Sequence, residues 1–164
     1  MAGKDIQKMN TRLSKITRAV ILALMLFFLI IATVFISNFA DYVAEEVLVC
    51  ELTRTVIFIG GSILAVPCLC VLSMALAFPS AIASDEIFTL KNANLIARIS
   101  LILCVDCILF LTAIIALLCV GELLVSPLLA MIDLIGFALA FLLRILADYV
   151  KRAAKMKEEV DATL

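Results

Sequence analysis

Two aspartates, Asp106 and Asp133, and one arginine, Arg144, stand inside stretches of sequence that are otherwise apolar. An ionisable side chain near the middle of a bilayer costs about 2.5 to 3.5 kcal/mol on insertion scales, so each needs a partner, water or a neutralising proton. Asp106 falls about two turns from one end of its stretch and Arg144 less than a turn from the same surface. Those depths predict an ion pair or a water bridge between them. Asp133 is deeper and has no evident cation. Asp133, Gly136, Ala140 and Arg144 follow one another at helical spacing and predict one polar, small face turned away from lipid. As chemistry, the aspartates form a proton, ion or ligand site; as structure, they are hydrogen-bonded glue between helices. Both readings stay open at this point.

The cysteines allow a second chemistry. Cys104 and Cys107 have the spacing of a redox pair, and four-helix membrane proteins that pass electrons from thiols to quinones use such pairs. Against this, the pair lies within an apolar stretch, Cys50 stands alone in the segment on the far side, and a buried cysteine commonly behaves as a small apolar residue. The chain has no histidine, no phosphate-loop or nucleophile-elbow glycine pattern and no cluster of metal ligands. The expectation is a protein that is not an enzyme and uses no cofactor.

The elements that position these residues are set by hydrophobicity. Of the 164 residues 66% are hydrophobic, against about half in a soluble domain, too many for one water-exposed core to hide. Four stretches, 19–40, 55–78, 99–120 and 123–146, each approach or exceed the roughly 20 residues that a 30 Å hydrocarbon core requires. The predicted fold is therefore an all-α integral membrane protein, one domain over residues 1–164, with four transmembrane helices in a bundle. Of the 13 lysines and arginines all but Arg54 flank the same side of these stretches, and the positive-inside rule places that side, with both termini, in the cytoplasm. The first stretch is longer than a signal-peptide core and no good small-x-small site follows it, so it is expected to be retained. The net charge of −1 argues against direct nucleic-acid binding.

Helices in lipid meet through small residues. In the second stretch Gly61 with Ala65, and Ser73 with Ala77, offer close approach, and Pro67 predicts a kink. Beyond the fourth stretch, in the tail 147–164, Leu146, Tyr149, Ala153, Met156 and Val160 recur in alternating steps of three and four, a coiled-coil-like seam on a helical cytoplasmic extension. Ile6, Met9, Leu13, Ile16 and Val20 form a matching seam, and the two extensions are expected to pack antiparallel or to offer the seam to a partner helix, a second copy of the chain included.

Thr89 is placed to cap a helix leading into the third stretch, with Phe88 beneath it. Phe88, Thr89, Asn92, Ala93, Leu95 and Ile99 resemble the phenylalanine-threonine, asparagine-alanine and leucine-isoleucine pattern of the YoaS-like membrane proteins of domain-of-unknown-function family 2975. Members commonly end in a charged helix and a Glu-Asn-Asp-Leu-Thr-Ile type tail. This chain ends Glu159, Val160, Asp161, Ala162, Thr163, Leu164, departing at Val160 and Ala162. The resemblance covers the four-span layout and implies a bacterial cytoplasmic-membrane protein whose gene accompanies a small Cro-like helix-turn-helix regulator. It thus implies a membrane partner or sensor for that regulator, with Phe88, Asn92, Tyr149, Met156, Glu159, Asp161 and Thr163 as the candidate partner surface. Two alternatives remain: a structural or interaction protein of the membrane, and a small ion-coupled transporter using Asp106 or Asp133.

Overall fold

The computed structural model of the protein describes residues 2–47, 51–83, 89–119, 121, 123 and 125–163, and every regular element among them is helical. Helix α1 spans Ala2–Tyr42 and runs into a π-helical turn at Val43–Val47. It is followed by α2 (Glu51–Ala75), the short α3 (Phe78–Ala83), α4 (Leu90–Cys119) and α5 (Ser126–Thr163). Four segments are long and apolar enough to cross a membrane: Met9–Glu45, Arg54–Ala81, Leu90–Cys119 and Ser126–Val160.

Three of the helices run past the apolar stretches that define them. Between Lys4 and Tyr42 and between Leu90 and Cys119 there is neither glycine nor proline to break a helix, so the polar flanks continue the helices of the spans. The 38 residues of α5 make it about 57 Å long, nearly twice the hydrocarbon thickness. In contrast, α2 stops at Ala75, short of the expected Phe78. The amides of Leu76 and Ala77 bond back to Ser73 and Met74, closing a tight turn that lets Pro79 enter the first turn of α3, where its missing N–H costs nothing. Between α4 and α5 the chain reverses at Gly121, whose φ of +93° a side chain would resist.

Hydroxyls and amides on the lipid-facing surface do not need partners on other helices. Thr33, Ser62 and Asn38 donate to the carbonyl four residues earlier, at 2.8, 2.7 and 2.9 Å, which satisfies them within their own helix.

Packing follows α1 on α2 and α3, α2 on α4, and, most extensively, α4 on α5. Gly61 marks the approach of α1 to α2: a Cβ there would lie 3.0 Å from Cγ2 of Ile36. The other small pair, Ser73 and Ala77, stays exposed. At the far end of these two helices, Arg54 pairs with Asp41 on the surface, 2.5 Å apart.

Helices α1 and α5 do not form a packed pair, which corrects the expected antiparallel pairing of the two extensions. Met9, Leu13, Ile16 and Val20 of α1 are exposed, and the side chain of Ile6 lies outside the described residues. The reason is competition. The first turns of α4 already occupy α5, where Ala93 and Ile96 form a buried cluster with Ala147 and Val150, flanked by Phe78, Ala97 and Leu143.

Candidate functional site

The α4–α5 contact is built on a repeat of seven. On α4 the buried positions Ala93, Ser100, Cys107 and Ile114 fall seven residues apart; on α5 so do Ser126, Asp133, Ala140, Ala147 and Ala154. A strict seven-residue spacing keeps one seam between two helices that supercoil left-handedly. The register is fixed at three levels. Ala93 shares a cluster with Ala147, the Ser100 hydroxyl donates to the Ala140 carbonyl at 2.8 Å, and Cys107 stands at the level of Asp133 and Gly136. The same register sets Ile114 level with Ser126. Most of these side chains are small, and in lipid small residues let backbones approach closely enough for dispersion and polar contacts to hold them.

Gly136 is the tightest point, since a Cβ on it would lie 2.9 Å from the Cys107 sulfur, closer than real contacts allow. Leu143 and Val150 fill the intervening positions toward the other end.

Asp106 takes the opposite side of α4. Its Oδ2 accepts from the Cys68 thiol of α2 at 3.1 Å, one residue after Pro67. Thus a thiol and a carboxyl lie on each flank of α4, Cys68 hydrogen-bonded to Asp106 toward α2 and Cys107 beside Asp133 toward α5. Among the described residues neither carboxyl forms a salt bridge with a cation.

The predicted ion pair of Asp106 with Arg144 is therefore not formed. In the observed register Arg144 is level with the segment around Ile96 to Ile99, roughly two turns or more from Asp106 along the axis. Its side chain is also exposed, because the buried face passes through Leu143. The predicted polar face is correct for Asp133, Gly136 and Ala140 and leaves the seam at Arg144. A seven-residue repeat, which continues three residues after Ala140 at position 143, explains the deviation from the eleven-residue offset.

Cys107 belongs to the seam while Cys104 is only partly buried beside it, and both are free thiols, as are Cys68, Cys70 and Cys119. Among the described residues no group of three or more histidines, cysteines, aspartates or glutamates is arranged to hold a metal ion. Chemically, the Cys68 thiol ties α2 to α4 through Asp106, and the Ser100 hydroxyl ties α4 to α5 through the Ala140 carbonyl.

Of the predicted partner surface, Asn92 is buried near the start of α4, whose first turn is capped as expected, with the Asn92 amide on the Thr89 hydroxyl at 3.3 Å. Phe88 lies outside the described residues, as do the side chains of Asp161 and Thr163. Tyr149 and Met156 of α5 are 67% and 61% exposed, and Glu159 is exposed too. The seam used within the molecule is the neighbouring stripe of Leu143, Ala147, Val150 and Ala154, one residue around the helix from the stripe that the tail pattern suggests. Sequence reasoning missed Cys68, Ser100 and Val150. For the latter two, the sevenfold recurrence of small residues on both helices was the available signal; for Cys68 there was none, since its partner is 38 residues away.

Against known families, residues 20–164 match the family described as Protein of unknown function (DUF2975). The chain belongs to this family. The match takes in α2 to α5 and α1 from Val20 onward. No curated protein and no solved structure matches the chain.

Proposed function

We propose that this DUF2975 protein is a bacterial cell-membrane protein with both termini in the cytoplasm that docks a small helix-turn-helix regulator on its cytoplasmic face. The orientation rests on the gathering of lysine and arginine at one end of the spans. The regulator as partner rests on the YoaS-like likeness of the loop and tail.

The observation that carries the dock is the geometry of α5. The helix continues past the span as a rigid rod, clamped by α4 along Leu143, Ala147 and Val150, and presents Tyr149 and Met156 outward on the remaining side. A helix face with exposed aromatic and methionine side chains beside lysines suits an amphipathic partner surface. Because the clamp reaches into the membrane through Ser100 and Cys107, a shift between α4 and α5 within the bilayer is transmitted to the rod. The hydrogen bond of Asp106 with Cys68 and the burial of Asp133 between α4 and α5 support a role in holding the helices together rather than in carrying an ion.

The test is co-purification of the full chain with the regulator encoded beside it. Removal of residues 151–164 is expected to lower recovery of the regulator at least tenfold, with the membrane protein still inserted. Equal recovery with and without the tail would rule out the dock on α5.

A further inference from the structure

A cavity of about 610 Å³ opens at the basic end of the molecule between the α2–α3 turn and the start of α4. One wall is Ala77, Ser80 and Ala81; the other is Lys91, Asn94, Leu95 and Arg98. The latter four are spaced three, four and seven residues apart and so form one face of α4, turned away from the Ala93–Ile96 face that packs on α5.

Neither Lys91 nor Arg98 enters a salt bridge among the described residues, where the one ion pair is Arg54 with Asp41 at the opposite end. Among the described residues the cavity thus collects two cations and the hydroxyl or amide groups of Ser80, Thr89 and Asn94, with no carboxylate among those that line it. It is not merely a helix terminus, since Thr89 caps that turn and the cations lie further along the helix.

What lies below the cavity selects the ligand. Arg98 is followed at helical spacing by Leu101 and Val105, and beside them by Ile108, all exposed and apolar. A phosphate held at Arg98 therefore has a greasy track beneath it, directed into the bilayer. An isolated phosphate ion would use the cations and leave the track bare; a lipid uses both.

We propose that this cavity binds the headgroup of an anionic glycerophospholipid from the leaflet at the basic end, independently of whether the regulator docks. The Arg98 guanidinium takes the phosphate through its fork of donors. The Lys91 ammonium adds a second charge from about 10 Å further out, a distance set by seven residues of helix rise and shortened by both flexible stems. The polar lining meets the headgroup hydroxyls, and the acyl chains lie along Leu101 and Val105. The volume falls within the range of small-molecule sites, and basic pockets between membrane helices on this side suit such headgroups.

The test uses the purified full chain in neutral detergent, titrated separately with phosphatidylglycerol, phosphatidylcholine and inorganic phosphate, with binding read by native mass spectrometry and by the shift in thermal unfolding. Phosphatidylglycerol is expected to bind saturably and raise the unfolding temperature, with phosphatidylcholine at least tenfold weaker and inorganic phosphate without effect. Lys91→Gln with Arg98→Gln should weaken phosphatidylglycerol binding at least tenfold, whereas Lys155→Gln with Lys157→Gln, an equal change of charge, should not. Helical content by circular dichroism confirms that both pairs of variants fold. Equal binding of the two lipids, competition by inorganic phosphate, or equal losses in the two double variants would each overturn the proposal.

Discussion

Gly136→Ala is expected to destabilise the protein by about 2 kcal/mol, measured by reversible unfolding in mixed micelles. The added methyl group would stand 2.9 Å from the Cys107 sulfur, a distance at which α4 and α5 must separate or Cys107 must leave its place opposite Asp133. Neither adjustment is local, because the sevenfold register couples this level to Ser100 with Ala140 and to Ala93 with Ala147. Gly60→Ala is the control. Nothing lies within 4 Å of a Cβ at Gly60, so relief of glycine's helix penalty should leave stability unchanged or raise it by up to about 1 kcal/mol. Adding Cys107→Ala to Gly136→Ala removes the atom that is struck and should restore more than half of the loss. Equal behaviour of the two glycine variants would mean that the helices are not in contact at this level.

Val150→Asp and Tyr149→Asp, adjacent substitutions, are expected to act in opposite ways. Val150 is 7% exposed in the cluster with Ala93, Ile96 and Ala147. A carboxylate there loses the burial of the valine and gains no cation, a cost of about 3 kcal/mol. The free energy is drawn from the local contact that holds the end of α5. Amide hydrogen exchange across 147–163 should therefore quicken by about a hundredfold, while the spans stay protected. Tyr149 points away from α4, so Tyr149→Asp should change exchange little; its effect falls on recovery of the regulator, which is expected to drop at least tenfold with the helix intact. Exchange rising equally in both variants would contradict the division of α5 into a packed stripe and an outward one.

The four spans were legible because lipid imposes one blunt requirement, some 20 apolar residues for each crossing, and the chain meets it four times. Asp133, Gly136 and Ala140 were legible as a shared face for a related reason, since polar and small residues in lipid turn toward protein. Arg144 was not, because over eleven residues a straight helix of 3.6 residues per turn and a supercoiled one of 3.5 diverge enough to change which side chain faces the partner. The tail seam has the expected period but lies one residue away, on Val150 and the small Ala147 and Ala154 rather than on the larger Tyr149 and Met156. The pairing of Asp106 with Cys68 depends on which helices become neighbours, which a single sequence encodes only through weak signals such as Gly61. The continuation of α4 and α5 beyond the membrane was visible in the absence of breakers. That α4, and not α1, would receive the end of α5 follows from the short α4–α5 turn at Gly121, which makes these helices antiparallel neighbours before any other contact can compete.

Disulfide trapping in native membranes tests the α4–α5 register most directly. With the six native cysteines replaced by alanine, Ala93→Cys with Ala147→Cys should cross-link in most molecules on mild oxidation, whereas Ala93→Cys with Tyr149→Cys should not. Efficient cross-linking of the second pair, or none of the first, would contradict a rod clamped by α4 with its Tyr149 side turned outward.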